Sequence, residues 1–468
     1  MSWKVVQMRS FLSERKGRYK PGDKTVLGLK RIDKIDFSGN IFLSEKPSKT
    51  DMILIKQGDL VISGINVEKG AMSIYKGEDD VIATIHYSSY EYNPEKIDID
   101  FLRHFLKSPE FIDALKEQVP GGIKTEIKPK HILPLKVCIP TNVEEQREVV
   151  TFLDQQNKTL ETQSTELTHQ LDLVKQLRRA FLREAMQGKL MVNGELSIVN
   201  GTDKKIKINH SQLTIKEETG AELLEKIKAE KECLIKEKKI KKQKPLPPIT
   251  EDEIPFEIPE NWVWCRLGEL AQLIFDGPFG SHLKTADYKP TGVRVIRLEN
   301  LGEMEFISEK ETFVSLEKYE TIKSHEVFEG DVIIGSFLAD GVRCTVLPDL
   351  NQKAIAKADC FTIRLVRELT ENRYIMFLLS SSPMFHELFS LLRGMTRLRI
   401  NTTQLKSLAI PLPPLTEQKR IVAKLDELMA HCDALEASIK ESQTQNELLL
   451  QQVLRVALEP RDEEVELI

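Results

Sequence analysis

The sequence lacks paired cysteines and long apolar runs. Its 468 residues contain six cysteines, scattered singly, without the close pairs typical of zinc or redox motifs. No apolar run approaches the roughly 18 residues that a membrane span needs. The beginning, "MSWKVVQMRSF", also lacks the apolar core of a signal peptide. We therefore expect buried thiols, no membrane span and a cytoplasmic location.

An excess of positive charge is missing as well. The formal net charge is -5 and the pI is about 6.1. This balance argues against a protein that coats nucleic acid indiscriminately, so any nucleic-acid surface must be local.

Motifs for catalysis and cofactor binding are not found either. The sequence contains no Gly-x-Gly-x-x-Gly turn, no catalytic tetrapeptide of amino-group methyltransferases and no His-Glu-x-x-His pair. The stretch "GDVIIGS" (330–336) lacks the lysine of a phosphate loop, and "PDLNQK" (348–353) is interpreted as a turn. We expect no metal site and no catalytic residues, although a site assembled from distant residues stays an alternative.

What the sequence does contain is a diverged repeat. The junction "PLPPLTEQKRIVAKLDEL" (411–428) resembles "IPTNVEEQREVVTFLDQQ" (139–156), and the Glu-Gln pairs lie 272 residues apart. At the same offset "KQGDLVIS" (56–63) aligns with "FEGDVIIG" (328–335). In both stretches Gly-Asp predicts a turn that leads into a buried strand. The starts "SWKVVQM" and "NWVWCRL" correspond at an offset of 259. These matches predict a tandem duplication of one domain.

Each copy ends in a segment with heptad spacing of apolar residues. Such rows are typical of coiled coils, and about 40 residues would form a rod of roughly 60 Å. We expect the two helices to pair antiparallel and to hold two globular domains, or heads, that recognise two separated short DNA sequences. The alternative is two separate amphipathic helices, each packed on its own domain. The predicted interface residues are Leu153, Leu160, Leu167, Val174, Phe181, Leu425, Leu428, Leu435, Ile439 and Val453.

Basic loops are the candidate DNA contacts. Three kinds of loop combine cations with glycine or small polar residues, and the third kind occurs just before the long helix in both copies. A charged stretch ahead of the proline-rich linker, "KIKAEKECLIKEKKIKKQK", is interpreted as a solvated connector, with a contact to the DNA backbone as the alternative. The candidate residues are Arg15, Lys16, Arg18, Lys20, Lys124, Thr125, Lys128, Ser281, His282, Lys284, Arg393, Thr396, Arg397 and Arg399.

The order of these elements resembles the specificity subunit of type I restriction-modification systems. The motif "PLPPLTEQKRIVAKLDEL", the spacer ending in "PLPPITEDEIPFEIPENWVWCRLGEL" and "DGPFGSHLK" carry the resemblance. The first copy, with "IPTNVEEQREVV", lacks the proline pair.

This resemblance implies an α+β fold with two tandem pseudo-symmetric α/β target recognition domains, separated by two long helices pairing as an antiparallel coiled coil. The implied segments are recognition domain 1 at 1–141, a long helix at 142–190, a charged helix and linker at 191–260, recognition domain 2 at 261–413, a second long helix at 414–460 and an acidic tail at 461–468.

The resemblance also implies a non-catalytic subunit that reads a bipartite target in double-stranded DNA. It would recruit two methyltransferase subunits, which use S-adenosylmethionine, and two restriction subunits, which use ATP and Mg²⁺; this chain would bind no cofactor itself. Two other readings remain at this point: a fused enzyme, and a coiled-coil scaffold with two protein-binding heads.

Overall fold

The computed structural model describes residues 2–36, 39–46, 50–64, 71–118, 127–190, 218–338, 341–392, 399–458 and 465–466. The chain divides into two compact units, each with strands and helices. The first unit contains Met1–Gln170 and Ser438–Ile468, and the second contains Leu171–Ala437. The predicted mixture of α and β structure, with a long C-terminal helix, is confirmed.

The first unit begins with short strands and ends in helices. Its described elements are β1 (Trp3–Gln7), β2 (Leu12–Glu14), β3 (Arg31–Ile35), β4 (Ile41–Ser44), β5 (Met52–Ile55), β6 (Leu60–Ser63), β7 (Met72–Ile74), β8 (Val81–Thr84), β9 (Tyr87–Tyr92), α1 (Ile99–Phe105), α2 (Pro109–Gln118), α3 (Pro129–Ile132), β10 (Lys136–Pro140) and the long helix α4 (Val143–Met186), which continues into the second unit. The strand orders are β2-β9-β6-β7, β4-β3-β8-β5 and β10-β1-β22, where β22 is Val465–Glu466.

The second unit follows the same plan after an additional helix. Its described elements are α5 (Gly220–Lys236), β11 (Val263–Arg266), α6 (Leu267–Leu270), β12 (Ala271–Phe275), β13 (Tyr288–Lys289), β14 (Val293–Ile296), β15 (Phe313–Val314), α7 (Leu316–Ile322), β16 (Glu326–Val327), β17 (Val332–Gly335), β18 (Cys344–Val346), β19 (Ala354–Ala356), β20 (Cys360–Leu365), α8 (Asn372–Ser380), α9 (Ser382–Ser390), α10 (Thr402–Ser407), β21 (Ala409–Leu412) and the start of α11 (Leu415–Leu458), whose end lies in the first unit.

Strand order repeats between the units. The sheet β12-β20-β17-β18 of the second unit has the order of β2-β9-β6-β7, and β15-β14-β19-β16 has the order of β4-β3-β8-β5, with β13 added at its edge. In each of the latter sheets the central pair is parallel and its neighbours are antiparallel. The first strand of each unit pairs antiparallel with the strand before the long helix, Trp3 with Pro140 and Val263 with Leu412. In this register Trp3 corresponds to Val263, so the first strands of the two units are offset by 260 residues. The sequence comparison had given an offset of 259.

The Gly-Asp turns are built alike. Gly58 and Gly330 both have φ +85°, a left-handed conformation that glycine adopts without the strain of a Cβ. Each glycine N–H donates to the carbonyl of the residue that directly follows β7 or β18, to Tyr75 at 2.8 Å and to Leu347 at 2.9 Å. The turn therefore leads into β6 and β17, whose residues are buried throughout, as the apolar runs predicted.

A buried glutamine anchors the beginning of each long helix. Gln146 and Gln418 are fully buried. The Gln146 side-chain oxygen accepts a 2.7 Å hydrogen bond from the main-chain N–H of Asp98, and the Gln418 oxygen accepts one of 3.0 Å from Glu371. Asp98 and Glu371 are the N-cap residues of α1 and α8. The repeated Glu-Gln motif thus joins each long helix to the start of a shorter one.

In the first unit, α4 and α11 lie antiparallel. Asn446 donates a 3.0 Å hydrogen bond to the main-chain oxygen of Leu160, and Leu454 and Leu458 are buried in the same core as Leu153. Residue numbers at successive contacts therefore increase along α4 as they decrease along α11.

In the second unit, the rest of α4 meets the start of α11. Arg178 forms ion pairs with Asp433 at 2.7 Å and Glu436 at 3.0 Å, and Met186 and Ile421 are buried in one core. Their order along the two helices is again antiparallel.

Burial along the long helices follows the heptad rows with one departure. Leu435 is 49% exposed, although the spacing places it among the interface residues. Arg178 faces α11 at this level, so Asp433 and Glu436 fill the contact and Leu435 lies outside it. The buried members of the predicted set are Leu153, Leu160, Val174, Leu425 and Leu428, and the partly buried ones are Leu167, Phe181, Ile439 and Val453.

The charged stretch before the second head is not a fully solvated connector. Ile227 of this stretch is buried in the core of the second unit, together with Leu223 and Leu224, which precede the stretch on α5. Lys231 donates hydrogen bonds to the main-chain oxygens of Gly268 and Glu269, and burial lowers the pKa of its amine to about 8. The prediction of a solvated connector is wrong for Ile227 and Lys231, because the apolar positions here are few and separated by lysines and glutamates, whereas residues 236–239 are exposed.

Candidate nucleic-acid interface

The first basic loop lies next to β9 in the first unit. Lys16, Arg18 and Lys20 are exposed, whereas Arg15 is partly buried. Arg15 forms hydrogen bonds of 2.6 and 2.8 Å with both carboxylate oxygens of Asp59, and an ion pair of 2.7 Å with Glu91. The hydrogen bond with Asp59 raises the pKa of the Arg15 guanidinium. Arg15 therefore holds the Gly-Asp turn, and the other three cations of the loop are left exposed.

The second unit stabilises its Gly-Asp turn in the same way from another strand. Arg364 of β20 donates hydrogen bonds of 2.9 and 2.6 Å to the two carboxylate oxygens of Asp331. The sequence comparison missed this equivalence because Arg15 and Arg364 occupy different positions in the two copies. An aspartate at each turn was visible in the sequence, but its arginine partner was not.

The loops before the long helices are described in part. Lys128 is exposed at the N-cap of α3, and Arg399 is 54% exposed beside β17. Five predicted contacts lie outside the described residues: Lys124, Thr125, Arg393, Thr396 and Arg397.

The glycine-rich loop of the second unit leaves its polar side chains exposed. Ser281, His282 and Lys284 are all exposed, while Leu283 between them is buried in an apolar cluster. A Cβ on Gly277 would lie 2.1 Å from the main-chain carbon of Lys357, so only glycine permits this approach of the loop to the turn before β20.

Two of the predicted loops meet at Asp276 and Asp359. The Asp276 carboxylate accepts hydrogen bonds from the main-chain N–H groups of Gly277 at 2.7 Å and Asp359 at 2.8 Å. Asp359 in turn accepts hydrogen bonds from Ser336 Oγ at 3.0 Å and from Arg399 at 3.4 Å. The loop at 275–285 and the segment before α10 are therefore connected through two carboxylates that the sequence did not single out.

The Asp276 carboxyl is perturbed by this environment. Burial raises its pKa to about 6, with a smaller contribution from the charge of Asp359, while the two N–H groups and Arg399 act in the opposite direction. Two further cations lie near the same turn: Arg297 and Lys357 both stand 5.5 Å from the ring centre of Tyr288. The sequence carried no short motif that could have grouped these residues.

No metal cluster and no membrane helix occur in the part of the chain that the structure describes. Histidine, cysteine and acidic side chains do not converge there in groups of three or more suited to a metal ion. None of the described helices combines the length and the apolar character required to cross a bilayer.

Comparison with known proteins shows which family the chain resembles. Residues 259–444 match the family model of the type I restriction modification DNA specificity domain. The resemblance predicted from the sequence is thus confirmed: the chain is related to the specificity subunits of type I restriction enzymes. It is 32% identical over 237 residues to the EcoAI specificity subunit of Escherichia coli, covering 49% of this chain and 39% of that one. It is 25% identical over 382 residues to the EcoEI specificity subunit of Escherichia coli, covering 74% and 63%. The chain therefore spans less than two thirds of these relatives.

A solved structure shares the fold. This structure is titled "Structural basis underlying complex assembly and conformational transition of the type I R-M system". The similarity covers 98% of this chain and 97% of the other, with a TM-score of 0.57 and 18% identity. At this identity the similarity is one of fold.

Proposed function

We propose that this chain is the sequence-specific DNA-binding specificity subunit of a type I restriction-modification complex. Each unit would read one half of a bipartite target in double-stranded DNA. The observation that carries the proposal is the repeated framework: the second unit contains most of the matched DNA specificity domain, and the first unit repeats its strand order, its Gly-Asp turn and its buried glutamine.

Recognition would combine two kinds of contact. Exposed cations such as Lys16, Arg18 and Lys284 are suited to the phosphate backbone, which contributes affinity without sequence information. Base edges in the major groove supply sequence discrimination, about 1 to 3 kcal/mol for each good bidentate pair. A net charge of -5 fits a subunit whose contacts with DNA are confined to such local patches.

The gap between the two halves of the target would be set by α4 and α11 acting as an antiparallel coiled coil. The antiparallel order of contacts within each unit supports this proposal. The target recognition domains would then correspond to the sheets and short helices of the two units, at about the boundaries that the sequence predicted.

Catalysis would belong to other subunits. The relatives are named as specificity subunits, and this chain would recruit two methyltransferase subunits and two restriction subunits to the DNA. S-adenosylmethionine would be bound by the methyltransferase subunits, and ATP and Mg²⁺ by the restriction subunits. A cytoplasmic location, where such a complex meets DNA, completes the proposal. The scaffold alternative loses its support because the matched family is defined by DNA specificity.

Methylation mapping tests this function. Adenine methylation would be mapped in DNA from cells that express the full chain with its methyltransferase partner, and in cells that lack only this chain. We expect a split motif, two fixed words with a constant gap, that disappears without the chain. Methylation that is independent of the chain, or a motif with one continuous word, would contradict the proposal.

A further inference from the structure

The same main-chain junction occurs in both units. In the second unit the N–H of Ser336 donates a 2.9 Å hydrogen bond to the oxygen of Asp359, and the N–H of Ile400 donates one of 3.1 Å to the oxygen of Ser336. In the first unit Gly64 stands in the place of Ser336. Its N–H donates to His86 at 2.9 Å, and its oxygen accepts from Ile127 at 2.8 Å. The framework of this junction is therefore constant.

The side chains on this framework differ. Gly64 corresponds to Ser336, and His86 corresponds to Asp359. The residue before Ile400 is Arg399, whereas the residue before Ile127 in the sequence is a glutamate. The main-chain framework is therefore shared while the side chains on it are not, as is common for loops that a rigid scaffold positions.

In the second unit the junction contacts an arginine, Arg399. Asp359 has φ +71°, an uncommon conformation for a residue other than glycine, and Asp276 stabilises it by accepting its N–H. Ser336 is fully buried and donates its hydroxyl to the Asp359 carboxylate, which also pairs with Arg399. Ser336 and Arg399 both contact the same carboxylate oxygen, Oδ1. The Asp359 side chain is 24% exposed and that of Arg399 is 54% exposed.

The carboxylate beside Arg399 favours a base over a phosphate at this guanidinium. Arg297 and Lys357 add positive charge near the turn, but Asp359 pairs directly with Arg399 and Asp276 accepts the Asp359 N–H, so Arg399 itself would meet a phosphate with its charge partly neutralised. A guanine edge is neutral and presents two acceptors, O6 and N7, that match the fork of a guanidinium. Restricting the arginine by a carboxylate also lowers the side-chain entropy lost on contact.

We infer that Arg399 contacts a guanine in the major groove, in the half of the target that the second unit reads, and that Asp359 is its positioning residue. This inference rests on the proposed function. The exposed part of the guanidinium makes the base contact, and the Asp359 carboxylate fixes its direction.

The test compares methylation motifs of the full complex carrying Arg399→Ala, Arg399→Lys or Asp359→Asn. Asparagine tolerates the left-handed conformation and keeps the shape of Asp359, so Asp359→Asn removes the charge with little effect on the fold. The matched control is Arg373→Ala, since Arg373 is another exposed arginine of this unit that pairs with a carboxylate, Asp426. Thermal unfolding of each purified full chain checks the fold.

We expect all three variants to reduce the preference for guanine about tenfold at one position of one word, with the other word and the gap unchanged. Arg373→Ala leaves the motif intact. Loss of preference in Arg399→Ala but not in Asp359→Asn would overturn the positioning role.

Two other results overturn the base contact. One is an unchanged motif in Arg399→Ala. The other is a uniform decrease of methylation at all sites together with a shallower salt dependence of DNA binding, which is the mark of a phosphate contact. If the parent chain directs no split motif, the proposed function itself fails, so the two failures are distinguishable.

Discussion

The guanidinium of Arg266 donates two hydrogen bonds, both of 2.7 Å, to the two carboxylate oxygens of Glu253. Arg266 is 3% exposed and also donates to the main-chain oxygens of Pro247 and Pro248. Glu253 follows these prolines in the linker, and the contact with Arg266 lowers the pKa of its carboxyl to about 2. One arginine of β11 therefore fastens the proline-rich segment to the second unit.

Arg266→Met should release this segment. The variant leaves three carbonyl oxygens, those of Pro247, Pro248 and Ser407, and a carboxylate without this donor, so we expect a loss of about 2 to 3 kcal/mol in the free energy of unfolding of the full chain. Cleavage by proteinase K between residues 240 and 258 should become at least about tenfold faster, because a loss of 1.4 kcal/mol or more raises the open population by that factor. The control is Lys242→Met, since Lys242 is exposed in the same segment. Equal cleavage rates in the two variants would refute the anchoring role.

Arg15 and Arg18 should separate structural from DNA-binding roles within one loop. Arg15→Ala leaves Asp59, which is 2% exposed, without its main partner, so the chain should lose about 3 kcal/mol of stability. Arg18→Ala should change stability by less than about 0.5 kcal/mol and reduce the slope of log K against log salt for DNA binding by about 0.9, because one phosphate contact is lost. Chemical denaturation and DNA binding at several salt concentrations measure both quantities. A normal stability of Arg15→Ala would contradict its assignment to the turn.

Features that depend on local pattern could be predicted from the sequence. The Gly-Asp turns, the buried strands after them and the two long helices follow from short-range chemistry and periodicity, and the repeated Glu-Gln motif located the junctions. The reason for that motif was not predictable, since the N–H groups bound by Gln146 and Gln418 belong to residues 48 and 47 positions earlier in the chain.

Features that depend on long-range contacts were missed or misplaced. Arg15 was predicted as a DNA contact because it lies in a dense cluster of cations, but in the structure it binds Asp59. Asp276 and Asp359 are 83 residues apart and carry no motif, yet they connect two of the predicted loops. The burial of α5 and the exposure of Leu435 also depend on what the neighbouring element presents, which periodicity does not contain.

Stability should depend on pH through Asp276. Its pKa is about 6 in the folded chain against an ordinary value of 3.8, so between about pH 4 and pH 6 the folded chain binds more protons than the unfolded chain. The contribution of this group to stability therefore falls as the pH rises through that window, and the cost of its charge is complete above pH 6.

Asp276→Asn removes this cost while keeping an oxygen that accepts from Gly277 and Asp359. The variant should gain about 1 kcal/mol relative to the parent chain between pH 4 and pH 7.5, a figure discounted for the partial exposure of the carboxyl. Thermal unfolding at the two pH values measures the difference, with the exposed Asp252→Asn of the same unit as the control for loss of one negative charge. A difference between variant and parent that is the same at both pH values would exclude Asp276 as the source.

The buried glutamines should be needed for the stability of both units. Gln146 donates to the main-chain oxygens of Lys96 and Pro140 as well as accepting from Asp98, so Gln146→Ala removes the side-chain partner of three main-chain groups, that of Pro140 being buried. We expect a loss of about 2 to 4 kcal/mol in the free energy of unfolding. Gln146→Glu should be at least as harmful, because a carboxylate cannot donate to these oxygens and a buried charge is added.

Gln418→Ala should have a similar effect in the second unit, where Gln418 accepts from Glu371 and donates to Pro413. The exposed Gln445→Ala on α11 is the control and should change stability by less than about 0.5 kcal/mol. Hydrogen exchange at the amides of Asp98 and Glu371 locates the effect: each amide should lose protection only in the variant of its own unit. Loss of protection at both amides in either variant would show that the glutamines act through the stability of the whole chain and not through the helix junction that each of them forms.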